Sequence, residues 1–551
     1  MSSSLAPEAV FQQYMSELFS DEPTFASELG LTQYDSELGD VSAAAFERRG
    51  RANRAWAERL ADLGWAAPGA ANAGLSGEDV IDARLLASHL AGVEVMDSWQ
   101  EWRRNPEVYL DRCLQGVANL FLHRLRPEPE LIEAAVTRLR QVPSVLELGK
   151  VQLDPELACS VVVERCVGAA RGGADFFTDV LPGEVADEVL RARLAEAARP
   201  AASALVEFSL HLEQLAAQAK GSWAIGEDRY SALLRQRELL DRDAAGLQEV
   251  GRGAWASLDR EMTDLARRVD PQATGWKAVR EALNEHHPAS PDELVVAYQD
   301  ACGRARDFLV EHELVTFPEG EHCSVEPSPE FLRPVLAVAC YFAPPPFAPG
   351  FHGHFFVPFP PNGSGQQDVE ELLADNSWSA VPTIAVHEAY PGHHWQLAWS
   401  KQTPRGLRNV LTTSYFIEGW ALYAEAMMRR QGFFAAPEDQ LSHLEARIFR
   451  AARVVVDTSL HCGEMNFDQA VEYMIEHSSI TRAVAVSEVR RYCAWPTQAA
   501  SYLTGALELD RMAQRWLDDG RGNLRQFHDR VASSPGLPLA LAEEELFATT
   551  G

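Results

Sequence analysis

The chain has 551 residues, of which 46% are hydrophobic, and carries a formal net charge of −31 at pH 7. This length allows a large core and two or more domains. The negative charge argues against binding to nucleic acid, which needs a basic surface, and against binding to an anionic membrane. It mildly favours cationic or neutral substrates through long-range steering, although solubility explains most of it.

The sequence contains no targeting or membrane-spanning pattern. No run of 18 apolar residues is present, so no transmembrane helix is expected. The first eight residues lack the basic and apolar regions of a signal peptide, which predicts a cytoplasmic protein. The eight cysteines are scattered without a Cys-x-x-Cys pair, and we expect Cys159, Cys166 and Cys340 to be reduced core residues.

Apolar residues recur at helical spacing along most of the chain, without a fixed-period repeat. The pattern predicts helices over 7–20, 42–64, 77–126, 128–143, 155–170, 183–198, 200–220, a pair within 227–269, and 291–314. Later helices are predicted over 405–432, 438–462, 467–477, 480–491, 497–516, 521–532 and 538–547. A composition shift at 315–333 suggests a helical region 1–330 and a second region 331–551, or one continuous domain.

Strand patterns occur only in the middle of the chain. Residues 334–342 alternate weakly, and the proline-rich run 344–350 excludes regular structure. Residues 351–357 read as a strand, which would place His352 and His354 on one face. The sequence therefore predicts a mainly α fold, a large multi-helix bundle with a small β-sheet.

Further along the chain, a segment of eight residues combines three imidazoles with one carboxylate: His387-Glu-Ala-Tyr-Pro-Gly-His-His394. Apolar flanks predict burial, which is costly for so many polar groups unless something binds them. His-Glu followed by a second histidine is typical of zinc hydrolases, in which two imidazoles hold zinc and the glutamate polarises a water. The alternative is a buried helix end whose histidines are satisfied by hydrogen bonds.

The second ligand of this motif is ambiguous, because Pro391 occupies the usual position, four residues after His387. In a regular helix His394 would lie about 10 Å along the axis from His387, too far for two zinc bonds of about 2.1 Å. A bulge at 390–392 would return His393 to the ligand position. We predict His387 and His393 as ligands, with His394 as the alternative to His393 and otherwise directed towards substrate or an acid such as Glu425.

A third ligand is predicted from the segment Glu418-Gly-Trp-Ala-Leu-Tyr-Ala-Glu425. The spacing of seven places both acids on one helical face. A carboxylate from a following helix completes two-histidine zinc sites, so Glu418 is the predicted third ligand, with water in the fourth position. The alternative is an ordinary helix with two exposed acids.

Together these motifs resemble the bacterial domain-of-unknown-function 885 family, whose members resemble gluzincin metallopeptidases. The likeness covers about 340–510 in detail and continues in Arg453 to His461, Glu488 to Tyr492 and Pro496 to Gly505, whereas the N-terminal part fits loosely through 226–230. The resemblance implies a gluzincin-like fold with the sheet next to the metal-binding helix and an edge strand lining the cleft. We expect the strand 351–357 to pair in this cleft with a peptide backbone. One alternative is a structural hairpin with two surface histidines, and another is a metal-ligand role for His352 or His354.

Further candidates lie downstream. Arg453, Asp457 and His461 follow i, i+4, i+8 spacing, and Asp457 could orient a ligating imidazole; the alternative is a surface ion-pair ladder. Tyr502, Arg491 and Tyr492 are candidates for stabilising a developing oxyanion, with simple packing as the alternative.

These features predict a zinc metallopeptidase-like hydrolase that cleaves amide bonds of short peptides, with Glu388 as general base for a zinc-activated water. The N-terminal region would form one wall of the cleft and exclude folded proteins. The alternatives are a zinc amidohydrolase of a small non-peptide substrate and a non-catalytic helical binding protein with a zinc site. Neither Gly-x-Ser-x-Gly nor a phosphate-binding loop is present, and the oligomeric state stays open.

Overall fold

The computed structural model describes residues 6–67, 75–330, 332–333, 336, 338–361 and 363–548. Within these residues the chain is mainly α-helical with one three-stranded sheet, which confirms the predicted fold class. The strand-like run 334–342 and the first residues of the chain fall partly outside the described residues. Among the described helices, none is long and apolar enough to cross a membrane.

The contacts divide the chain into two compact units. The first contains Met1–Ile225 and Pro345–Pro349, and the second contains Gly226–Pro344 and Gly350–Gly551. The division therefore falls about a hundred residues before the predicted boundary at 330, because helices that follow Gly226 pack inside the second unit. The Tyr230 hydroxyl, for example, donates to Asp457 at 2.6 Å. A role for the N-terminal region as a cleft wall stays a prediction.

The first unit is a helical bundle. Side chains of Ser42, Ser76 and Asp187 cap three of its helices. The predicted helical stretch 77–126 forms two helices, whereas 183–198 and 200–220, predicted as separate segments, form one helix that continues through Pro200. Its helices are α1 (Pro7–Asp21), α2 (Pro23–Glu28), α3 (Ala43–Leu63), α4 (Gly77–Trp99), α5 (Glu107–His123), α6 (Glu128–Gln152), α7 (Ser160–Asp175) and α8 (Glu188–Gln218).

The second unit contains the sheet and fifteen of the described helices. Its helices are α9 (Glu227–Ala232), α10 (Ala244–Val269), α11 (Trp276–Asn284), α12 (Pro291–Glu311), α13 (Gln366–Asp375), α14 (Val381–Glu388), α15 (His393–Ser400), α16 (Gly406–Val410), α17 (Ser414–Gln431), α18 (Pro437–His461), α19 (Phe467–His477), α20 (Arg482–Ala494), α21 (Gln498–Asp518), α22 (Leu524–Ala532) and α23 (Leu539–Phe547). Helix α18 packs along α10, and α17 packs along α21.

The sheet contains β1 (His322–Pro327), β2 (Cys340–Phe342) and β3 (His352–Val357) in the order β1-β3-β2. Strand β3 pairs in parallel with β1 and antiparallel with β2. The expectation that this strand lies at an edge is therefore wrong. Strand β1 pairs along all of β3, and β2 covers the other side at His354, Phe355 and Phe356, so β3 does not offer a free edge along its length to an extended peptide.

His352 and His354 share one face of β3, as predicted, and their rings stack with centroids 4.7 Å apart. His352 bonds Ser324 and His354 bonds Glu326, each at 2.6 Å. The eight cysteines are all free; Cys159 and Cys166 are buried as predicted, and Cys340 is half-buried.

Candidate metal centre

The histidine motif is not a continuous helix. Helix α14 ends at Glu388 and α15 begins at His393, with a cis Tyr390–Pro391 peptide between them. The Gly392 N–H donates to the Val386 carbonyl oxygen at 3.0 Å. A Cβ atom on Gly392 would lie 1.9 Å from the His387 carbonyl oxygen, so this approach requires glycine. The structure thus has a tight turn between two helices where the sequence predicted a bulge.

This turn brings His393 beside His387, with ring centroids 4.8 Å apart and planes at 88°. From α17, Glu418 Oε2 lies 3.4 Å from His393 Nε2 and 3.8 Å from His387 Nε2. One donor atom from each of the three residues lies within 4.8 Å of the others, so the group could hold a metal ion. The structure therefore brings together the three ligands predicted from the sequence.

His394 points away from this cluster and is fully buried. Its Nδ1 lies 2.9 Å from the Tyr341 hydroxyl, and its Nε2 lies 2.7 Å from Glu321. Both ring nitrogens are occupied, so the geometry does not support His394 as the alternative ligand. The sequence suggested Glu425 as an acidic partner of His394, but the partner in the structure is Glu321.

Glu321 gathers several donors at the start of the sheet. Besides His394, it accepts hydrogen bonds from Tyr390 at 2.9 Å and from Arg306 at 2.8 Å. Burial alone would raise the pKa of Glu321, but hydrogen bonds from His394, Arg306 and Tyr390 lower it to about 2. This ionised carboxylate fixes the start of α15 against the sheet.

Glu425 lies behind His387, two helical turns after Glu418. Its Oε1 accepts from His387 Nδ1 at 2.7 Å, and its Oε2 lies 3.3 Å from His443 Nδ1. Burial would raise the pKa of Glu425, but the His387 and His443 contacts and the charge of Arg450 hold it well below its usual range. The bond to Nδ1 leaves His387 Nε2 free to face Glu418 and His393.

Glu418 is also ionised. Burial would raise its pKa, but the hydrogen bond from His393 and the charges of His393, His387 and Arg450 lower it to about 2. Two residues further along α17, the Trp420 indole N–H donates to the Pro391 carbonyl oxygen at 2.8 Å. The Glu-Gly-Trp segment therefore supplies one acid to the cluster and one donor to the turn that carries the histidines.

Glu388 is partly buried at the end of α14 and lies next to the cluster. Burial raises the pKa of Glu388, while the charges of His387 and His393 and a hydrogen bond from the Tyr341 backbone N–H oppose this rise. Tyr341 belongs to β2, and its side chain also reaches His394. The sheet thus lies against the histidine motif, as expected.

Tyr502 stands on α21, which packs so closely on α17 that a Cβ on Gly419 would lie 2.6 Å from the Gly505 Cα. Gln498 Nε2 donates to the Tyr502 hydroxyl at 3.3 Å. Burial and the negative charge of Glu418 raise the pKa of Tyr502. Tyr502 is therefore placed near the candidate centre.

Arg491 and Tyr492 are less directly placed. Arg491 bonds Glu488 at 3.0 Å and donates to the Gln498 side chain, which in turn holds Tyr502. Tyr492 is fully buried and donates to Glu488 at 2.7 Å, so its hydroxyl is not available to a substrate.

Asp457 and His461 lie in a different cluster from the metal ligands. Asp457 accepts from the Tyr230 hydroxyl and from the backbone N–H groups of Thr497 and Ala500 at the start of α21. His461 Nε2 lies 2.9 Å from the Tyr492 carbonyl oxygen. Both side chains are fully buried, which excludes a surface ladder. The carboxylate that bonds the His387 ring is Glu425 and not Asp457.

Three residues of this neighbourhood were not found from the sequence: Glu321, Tyr341 and His443. Each lies on a different element from the motif and is brought to it by tertiary packing. None of the three lies at a helical or strand spacing from His387 or Glu418, so the sequence pattern does not identify them as part of the site.

Fold and cluster together define a mainly helical protein with a buried two-histidine, one-glutamate group. The chain belongs to the family described as bacterial protein of unknown function (DUF885), which matches residues 23–546. The match extends well beyond the region 340–510 in which the motifs lie.

Two solved structures resemble the whole chain. A candidate lipoprotein of unknown function from Shewanella oneidensis is 20% identical, with a TM-score of 0.79 over 98% of this chain and 99% of that one. A candidate lipoprotein from Colwellia psychrerythraea is 18% identical, with a TM-score of 0.78 over 98% of each chain. At these identities the likeness shows the shared fold. Among curated proteins, none matches the chain significantly.

Proposed function

We propose that this protein is a zinc-dependent hydrolase that cleaves amide bonds of short peptides. One observation carries the proposal: His387, His393 and Glu418 converge within 4.8 Å, with Glu388 directly beside them. Two imidazoles and one carboxylate form the ligand set of many catalytic zinc sites, which keep a fourth position for water or substrate.

The spacing of the donors fits such an ion. Two ligands bound at about 2.1 Å in tetrahedral geometry lie roughly 3.4 Å apart. The Glu418 oxygen lies 3.4 Å and 3.8 Å from the two imidazole nitrogens. The orienting bond from Glu425 to His387 is the kind of support that metal-bound histidines usually have.

When bound, zinc would supply Lewis acidity and lower the pKa of a water in its open position. Glu388 would accept the proton of that water and later return it to the leaving amine. The raised pKa of Glu388 lies closer to neutral pH than that of an ordinary carboxyl, which suits a group that must both take and give a proton. The Tyr502 hydroxyl would donate to the oxyanion that develops on the carbonyl, with Arg491 positioning it through Gln498.

The test compares wild-type protein and Glu388→Gln, each loaded with zinc, on a mixture of short peptides and on a folded protein. We expect about one zinc per chain in both, cleavage of short peptides only by the wild type, and no digestion of the folded protein. Normal turnover by Glu388→Gln would remove Glu388 as the base. Zinc binding without peptide cleavage by the wild type would favour a small-amide hydrolase or a binding protein.

A further inference from the structure

An unbalanced group of arginines surrounds Tyr502. Arg450 and Arg453 stand on α18 and Arg491 on α20, and we call these three residues the arginine cluster. The guanidinium carbons of Arg453 and Arg450 lie 4.8 Å and 5.8 Å from the centre of the Tyr502 ring. Two members of the cluster therefore lie against the ring whose hydroxyl is proposed to meet the substrate.

Two members of the arginine cluster share one carboxylate. Arg453 donates to Glu488 at 2.6 Å, and Arg491 donates to the same oxygen at 3.0 Å. These bonds hold both guanidinium groups in place. They set two guanidinium groups against a single glutamate, in a chain whose net charge is −31.

Arg450 has no such partner. Its Nη1 donates to the Ala446 carbonyl oxygen at 3.0 Å, and its Nε is buried without a hydrogen-bond partner. Among the described residues, no carboxylate forms an ion pair with it. Charges removed from water are normally paired and hydrogen-bonded, and this partly buried guanidinium still has an unbonded Nε donor to offer.

The neighbouring acids are already committed. The charge of Arg450 helps to lower the pKa of both Glu418 and Glu425, which belong to α17. Glu425 is bonded by His387 and lies beside His443, and Glu418 lies against His393. Neither approaches Arg450 within ion-pair distance, and both face the metal cluster.

We propose that Arg450, supported by Arg453, binds a carboxylate of the substrate beside Tyr502. A guanidinium presents planar paired donors that match a carboxylate. This inference rests on the proposed function and deepens it: the substrates are short peptides with a carboxylate near the cleaved bond, either the C-terminal group or an acidic side chain.

Binding to the zinc-loaded Glu388→Gln protein tests this independently of turnover. Calorimetry would compare Ala-Ala-Ala as free acid and as amide, and Ala-Asp-Ala amide with Ala-Asn-Ala amide. We expect the free acid, or the aspartyl peptide, to bind about 10- to 100-fold more tightly than its neutral partner. Whichever pair differs identifies the source of the carboxylate. Equal binding within both pairs, including no binding at all, would overturn the proposal.

Variants locate the effect. Arg450→Gln should weaken binding of the carboxylate peptide about 10- to 100-fold and leave binding of its neutral partner unchanged. Arg450→Lys should restore part of the lost affinity. Arg447→Gln is the matched control, because Arg447 stands one turn earlier on α18 and already pairs with Asp510. A carboxylate preference that survives Arg450→Gln would refute the assignment, even if the wild-type protein hydrolyses peptides.

Discussion

Replacing Glu425 by glutamine tests how far the metal site depends on the group behind His387. Glu425 is 1% exposed and accepts from His387 Nδ1 at 2.7 Å. Its pKa lies so far below the usual range that the carboxylate is charged at neutral pH. Glutamine has almost the same shape but no charge, and its NH₂ group cannot accept from either histidine.

The expected loss follows from the role of such orienting groups. Removing one typically weakens metal binding 10- to 100-fold, which corresponds to about 1.4–2.7 kcal/mol. Zinc affinity would be measured at pH 7 by competition with a chromophoric chelator. Glu238→Gln is the control, because Glu238 is also buried and its bond to Thr413 lies outside the metal cluster. If Glu425→Gln bound zinc as tightly as this control, the orienting role would be refuted.

Two further predictions concern histidines. His393→Ala should lose zinc whereas His394→Ala keeps it, because the His394 nitrogens are bonded to Tyr341 and Glu321; metal analysis giving the reverse pattern would contradict the ligand set. Burial lowers the pKa of His528 to about 4 from an ordinary value of about 6.5. The unfolded chain therefore takes up this proton first, and stability falls by about 1.4 kcal/mol per unit as pH drops from 6.5 towards 4. Urea unfolding at pH 7 and pH 5 should show a smaller loss of stability on acidification for His528→Gln than for the wild type. An equal loss in both proteins would count against a neutral buried His528.

The sequence predicted the parts of the site that are local. His387 and His393 lie in one short segment, and helix α17 supplies Glu418 at a position marked by its apolar neighbours. The choice between His393 and His394 also followed locally, from Pro391 and helical geometry. In each case the decisive distances run along the chain.

What the sequence could not predict depends on which elements meet. The central position of β3 depends on its pairing with β1 and β2, and no pattern within 352–357 encodes it. Glu321 and His443 reach the histidines from distant elements. Helix α8 continues through Pro200 although proline removes a hydrogen bond there, because packing of its buried face outweighs that local cost.

The contact between Gly419 and Gly505 has a consequence for motion. A Cβ on Gly505 would lie 1.9 Å from the Tyr415 carbonyl oxygen, so the α17 and α21 backbones touch without a layer of side chains between them. Helices this close cannot slide past one another, since cores repack in discrete steps and do not deform continuously. Glu418 and Tyr502 therefore travel as one rigid body, and any opening that admits a ligand must occur at other elements around the cluster.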